Sequence, residues 1–141
     1  MKLKAFTFLG VAGLFLTLLS FTNGANELAS AGEEGWEVPD AAKNMKNPTS
    51  SSDKEGMAIG KSLYNKHCKS CHGSEGMGDG PKAGELDTDC GDFTMEEFQS
   101  QSDGSIFYKT REGRDDMPSF KKKITEEEDV WYIVNYLRTL K

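Results

Sequence analysis

The sequence predicts an all-α fold of short helices joined by loops. Three observations carry that expectation. Residues Ile133, Tyr136, Leu137 and Leu140 repeat at i, i+3, i+4, i+7, the apolar stripe of a buried helix face. Gly60, Leu63, Tyr64 and His67 repeat at the same spacing. No segment alternates apolar and polar residues in the way a half-buried strand does. At 141 residues the chain has room for one folded domain.

The elements follow in chain order. Lys2 and Lys4 precede the uncharged run Ala5–Phe21, and small residues come after it, including Ala29-Ser30-Ala31. That is the layout of an export signal, and residues 1–31 are read as a signal peptide. An uncleaved anchor is the alternative reading, since residues 5–21 sit at the lower limit for spanning a bilayer. Either way the rest of the chain is delivered outside the cytoplasm. Removing residues 1–31 takes the formal charge from −6 to −7. So acidic a chain is a poor ligand for nucleic acid and is steered toward basic patches on a partner.

Residues 32–52 contain Pro39, Pro48 and the run Thr49-Ser50-Ser51-Ser52, with no helical or strand period. They read as an extended lead-in or linker, with Trp36 and Val38 able to clip it onto the domain surface. The domain is read over residues 53–141. Its first helix starts at Asp53, a plausible cap. Gly73–Gly84 holds five glycines in twelve residues and is a loop; it lacks the Gly-Lys-[Ser/Thr] ending of a phosphate cradle. Thr94 with Glu97, and Thr125 with Glu128, have the spacing of capping boxes. Between them, Ile106, Phe107 and Thr110 mark a helix over Gly104–Arg111 that Gly113 stops. In the last helix Glu126, Glu127 and Asp129 place negative charge at the positive end of the dipole, and Arg138 and Lys141 place positive charge at the other.

The chemistry lies in Cys68-Lys69-Ser70-Cys71-His72. Two thiols three residues apart can reach the two vinyl groups of one porphyrin, and the adjacent histidine then meets the iron. This is the signature of covalently attached haem c, with Cys68 and Cys71 as thioether anchors and His72 as an axial ligand. The competing readings lack their context. A thioredoxin-type redox pair needs a βαβ setting. A zinc site needs a second Cys/His pair, and only His67, His72 and Cys90 remain.

A second axial ligand is expected from a loop methionine. His67 directly precedes Cys68 and is too close to reach the opposite porphyrin face. Met57 and Met95 fall in predicted helices, where core filling is the usual role. Met77 lies in the glycine loop, and Met45 in the lead-in. Met117 follows the polar run Arg111-Glu-Gly-Arg-Asp-Asp and is stiffened by Pro118, so its thioether sulfur is the preferred candidate.

From Asp53 to Lys141 the chain resembles the class I mono-haem cytochromes c. Gly60 and Tyr64 match that family's N-terminal helix, Trp131, Tyr136 and Leu137 its C-terminal helix, and Met117-Pro118 its distal-ligand loop. Gly78-Asp79-Gly80-Pro81 is similar to the loop whose proline carbonyl accepts a hydrogen bond from the axial histidine. The resemblance implies short helices wrapped around one covalently bound haem, with the N- and C-terminal helices crossing. It implies that Pro81 orients His72. It implies a six-coordinate His/Met iron centre that carries single electrons and is not an enzyme. Such a carrier works in a periplasmic respiratory or dehydrogenase chain between a redox protein donor and an acceptor, with membrane association through residues 5–21 as an added expectation. Lys121–Lys123 are then a candidate docking patch. Two other functions stay open: a haem-bearing subunit of a membrane respiratory complex, and an open-site haem enzyme or gas sensor should Met117 not bind. Cys90 matches no motif and reads as a small buried apolar residue.

Overall fold

The computed structural model describes residues 35–141; the export signal read over residues 1–31 lies outside the described residues. Among the described residues six α-helices follow one another: α1 (Asp40–Lys43), α2 (Lys54–His67), α3 (Lys69–His72), α4 (Glu96–Gln99), α5 (Asp103–Glu112) and α6 (Glu127–Leu137). A 3-10 turn spans Ala83–Glu85. Among the described residues there is no sheet; one isolated bridge joins Arg114 to Met117. No described helix is long and apolar enough to cross a membrane.

The frame is the crossing of α2 and α6. Asp53 caps α2, its Oδ1 accepting from the amides of Glu55 (3.0 Å) and Gly56 (3.2 Å). The crossing point is Gly60. A Cβ there would drive into the Tyr132 carbonyl and meet the Ile133 nitrogen at 3.2 Å, so only glycine lets the two backbones approach this closely. One turn on, Tyr64 is fully buried and its ring lies 5.1 Å from that of Tyr136. Val130, Ile133 and Val134 of α6 are likewise completely inaccessible. Each such aliphatic side chain contributes roughly 1.5–3 kcal/mol by leaving water. On the other side of α6, Trp131 stacks on Phe107 of α5, ring centroids 4.1 Å apart.

α5 begins with Ser102, whose Oγ accepts from the Ser105 amide, and ends at Gly113 with φ +70°. Ile106, Phe107 and Thr110 are its buried face, as the spacing predicts. α6 is riveted at its C-terminus. The Gln99 side-chain amide donates to the carbonyls of Phe93, Leu137 and Leu140. Arg138 donates to the carbonyls of Gln99 and Gln101 and to the Asp103 carboxylate.

Three local expectations are corrected. Thr94 does not cap α4, which starts two residues later with Met95 in the cap position. The reason is local competition: the Asp92 carboxylate binds both the amide (2.8 Å) and the hydroxyl (2.7 Å) of Thr94. Met95 is consequently 56% exposed and fills no core. Thr125 does not cap α6 either. Glu126 takes that position without a side-chain bond, and the Thr125 hydroxyl points to the Glu126 carboxylate.

The stretch before α2, which shows no period in sequence, is packed. Val38 and Ala42 are buried. The Ala42 carbonyl sits where a Cβ on Gly104 of α5 would be. Asn47 donates to the Asn135 side chain at 2.8 Å, and Asn135 donates to Thr49 at 2.9 Å.

Candidate haem site

Cys68, Cys71 and His72 come together because α2 stops and restarts. Cys68 ends α2 and opens α3, the single turn that carries the rest of the motif. That turn is clamped from both directions. The Tyr64 hydroxyl donates to the Gly73 carbonyl at 2.6 Å. The glycine loop folds back to donate from Gly78 to the His72 carbonyl, from Gly80 to Cys71 and from Lys82 to Ser70, at 2.9–3.0 Å. Small residues are needed in this loop because backbone lies directly on backbone.

Beside the motif opens a cavity of about 700 Å³, within the size range of cofactor sites. Cys68, Cys71, His72 and Met117 all line it. Its apolar wall is Phe93, Phe98, Ile106, Phe120 and Leu137. Tyr64, Phe107 and Ile133 lie in the buried core, with Leu63 packed against it, and do not line the cavity. The Met117 segment is fixed by two backbone bonds with Arg114, 2.8 and 2.9 Å, and by the Phe120 amide on the Arg111 carbonyl. His67 also reaches the cavity, with its ring edge against Phe120 at 5.8 Å. Pro81 is exposed and lies outside the cavity lining.

Electrostatics at the motif are those of a buried site. The His72 ring stacks on Phe93, centroids 4.4 Å apart. Its pKa is lowered, chiefly by burial, against the opposing effect of the Cys90 backbone; the neutral imidazole is the form that binds metals. Its Nδ1 is buried with no hydrogen-bond partner among the described residues. Burial, then the neighbouring Cys71, pushes the Cys68 thiol up to about 12.

A haem fits these residues. Two sulfurs, an imidazole and a thioether converge on one largely apolar cavity, and a buried imidazole nitrogen is left orphaned, a cost that ligation and its accompanying hydrogen bond remove. The sequence reading missed other members of the lining. Cys90 is half-buried in the wall, and Lys109, Arg114 and Trp36 meet there from distant parts of the chain. Only Trp36, an aromatic in a polar lead-in, carried any signal. Among the described residues, no three His, Cys, Asp or Glu side chains cluster as a bare-metal site.

Comparison with known proteins agrees with this chemistry. The family described as cytochrome c oxidase, cbb3-type, subunit III matches residues 55–137. A chain of the Kuenenia stuttgartiensis reducing HAO-like protein complex is 26% identical, with a TM-score of 0.59 over 77% of this chain. This chain spans about half, 53%, of that one. The c-type cytochrome KustC0563 is 34% identical, TM-score 0.51, with 58% of this chain and 96% of that one covered. Cytochrome cL from the marine methylotroph Methylophaga aminisulfidivorans is 19% identical, TM-score 0.51, over 73% of this chain and 69% of its own, a likeness of fold. No curated protein matches by sequence at a significant level.

Proposed function

The chain belongs to the c-type cytochrome family whose model matches residues 55–137, its role is electron transfer of the cytochrome type, and on that premise we propose that it is a mono-haem, class I carrier of single electrons. Cys68 and Cys71 would anchor the haem covalently, and His72 and Met117 would hold its iron. The observation that carries this reading is the meeting of those four side chains on one cavity, with His72 Nδ1 buried and unpartnered.

Bound there, the haem supplies a one-electron Fe(III)/Fe(II) couple. The chain's part is to hold ligands still and keep water out. Tyr64 and the folded-back glycine loop fix the backbone of the motif, and Phe93 fixes the plane of the His72 ring. The Arg114–Met117 bridge holds the thioether segment. With His72 and Met117 both holding the iron, no site would be left open for substrate, and the Met117 thioether would favour the reduced state. The apolar wall favours it further, because the oxidised centre carries the extra charge. Pro81, which turns the loop back onto the motif, is the proposed acceptor for the His72 Nδ1 proton in the loaded protein.

Residues 1–31 are proposed to direct export to the periplasm, ahead of a 32–52 lead-in and a 53–141 domain, with donor and acceptor redox proteins meeting the carrier there. Service as a haem-bearing subunit of a larger assembly is the second reading, supported by the family's description and by the complex that contains the half-matched relative.

The test is spectroscopic. Purified protein is expected to contain one haem per chain by mass and pyridine haemochrome, to show a methionine-to-iron charge-transfer band when oxidised, and to resist CO when reduced. Met117→Ala should abolish the band and admit CO. A wild-type ferrous protein that binds CO readily would replace the carrier with an open-site protein.

A further inference from the structure

A haem brings two carboxylates as well as an iron, and the cavity is not neutral toward them. Asp89, Asp92, Glu97 and Asp116 line it and would repel a carboxylate. Three of those acids are already engaged as backbone acceptors: Asp89 by Gly91, Asp92 by Thr94, and Asp116 by Asp87 and Thr88. Among the described residues, only two lysine or arginine side chains line the cavity, Lys109 and Arg114. Both stand over the same indole: the Lys109 Nζ lies 5.7 Å and the Arg114 guanidinium 4.6 Å from the Trp36 ring centre. Lys109 is held by Gln101 at 2.7 Å. Arg114 is held by the Gly35 carbonyl and by Asp115 at 3.1 Å.

Trp36 reaches this place from outside the family match, which begins at residue 55. Its segment is fastened to the fold by Val38 and Ala42 and again by Asn47. The arrangement therefore puts two cations and an indole ring together in one part of an otherwise largely apolar and acidic cavity.

We propose that Trp36, Lys109 and Arg114 are the seat of the haem carboxylates, and that residues 35–47 are a strap that closes the pocket over them. The inference rests on the haem-carrier reading above. Arginine suits the task because its fork matches a carboxylate. Tryptophan adds one donor and no acceptor. Cations held here also offset the negative charge that the carboxylates would otherwise place near the iron. They therefore favour the reduced state.

The haem-loaded protein tests this directly. In the reduced, diamagnetic state the Trp36 indole N–H is expected to give a through-space NMR cross-peak to the haem propionate methylenes. Trp36→Phe keeps the ring under the two cations and should lose that peak alone. Arg114→Gln and Lys109→Gln should each shift the one-electron reduction equilibrium toward the oxidised form, on the order of tenfold in the double variant, where tenfold is 59 mV for one electron. Arg114→Lys should restore most of the shift, and Lys61→Gln, an exposed change of the same charge on α2, should produce little. Amide exchange over 35–47 should quicken in Arg114→Gln. An absent cross-peak, or equilibrium shifts no larger than that of Lys61→Gln, overturns the proposal while leaving the carrier reading intact. A purified chain without covalent haem overturns the carrier reading itself.

Discussion

Preventing haem attachment should unfold much of this protein, and the structure gives the scale of the effect. The double variant Cys68→Ala/Cys71→Ala removes both proposed anchors. What is left is a cavity of about 700 Å³ walled by Phe93, Phe98, Ile106, Phe120 and Leu137. At about 24 cal/mol per Å³ an enclosed void of that size costs about 17 kcal/mol. The total stability of a domain is only about 5–15 kcal/mol. The cavity opens to solvent, so collapse and water entry relieve part of that cost, but even half of it, about 8 kcal/mol, removes most of the stability. The expected product is a partly folded chain. The α2–α6 pair, sealed by Gly60, Tyr64 and Ile133, should keep residual amide protection, while α4, α5 and the Met117 segment lose theirs. Far-ultraviolet circular dichroism should show reduced helix and no cooperative melt. Cys90→Ala is the control, with loaded haem and a near-normal melt. A cooperative transition for the double variant within about 5 °C of the loaded protein, equivalent to about 1 kcal/mol, would refute the reasoning.

Other outcomes follow from single contacts. Gly60→Ala puts a methyl into the Tyr132 carbonyl and should cost at least about 1–3 kcal/mol in a urea melt; a neutral result would mean that the helices can separate freely. Tyr64→Phe leaves the Gly73 carbonyl buried without its 2.6 Å donor and should cost about 1–3 kcal/mol. Tyr64 also sets an alkaline limit. Its pKa is raised, first by burial, with the charges of Tyr136, Asp79 and Glu75 adding to it. The folded state thus holds this proton more tightly than the unfolded chain. The stability so gained is whole below the ordinary tyrosine value of 10.0 and is lost as pH climbs above it; Tyr64→Phe should flatten stability against pH there, which equilibrium denaturation across that range measures. Arg138→Met strips the donor from two carbonyls and from Asp103 and should lower stability by about 1.5–3 kcal/mol, with amide exchange quickening first around Gln99–Asp103.

The residue order alone determined the helical class and pointed to the proposed attachment chemistry. Cys68, Cys71 and His72 are neighbours in sequence, so the spacing that serves a porphyrin is visible without a fold, and the stripes of α2, α5 and α6 are local periods of 3.6. Local competition already escaped it: nothing in the Thr94/Glu97 spacing says that Asp92 claims Thr94 first. What only the tertiary structure decided are the long-range meetings. Gly60 is one helical glycine among several until the Tyr132 carbonyl is seen against it. Met117 is preferred in sequence for its polar loop and Pro118, and the fold adds that it lines the same cavity as His72, as Met77 and Met95 also do. Trp36 lies in a stretch with no period at all, and its place between Lys109 and Arg114 depends on where α1 packs on α5, a matter of shape and not of pattern. The proposed attachment motif is legible in adjacent residues because its chemistry is local. The pocket that surrounds it is assembled across the chain because excluding water and balancing charge need walls on every side.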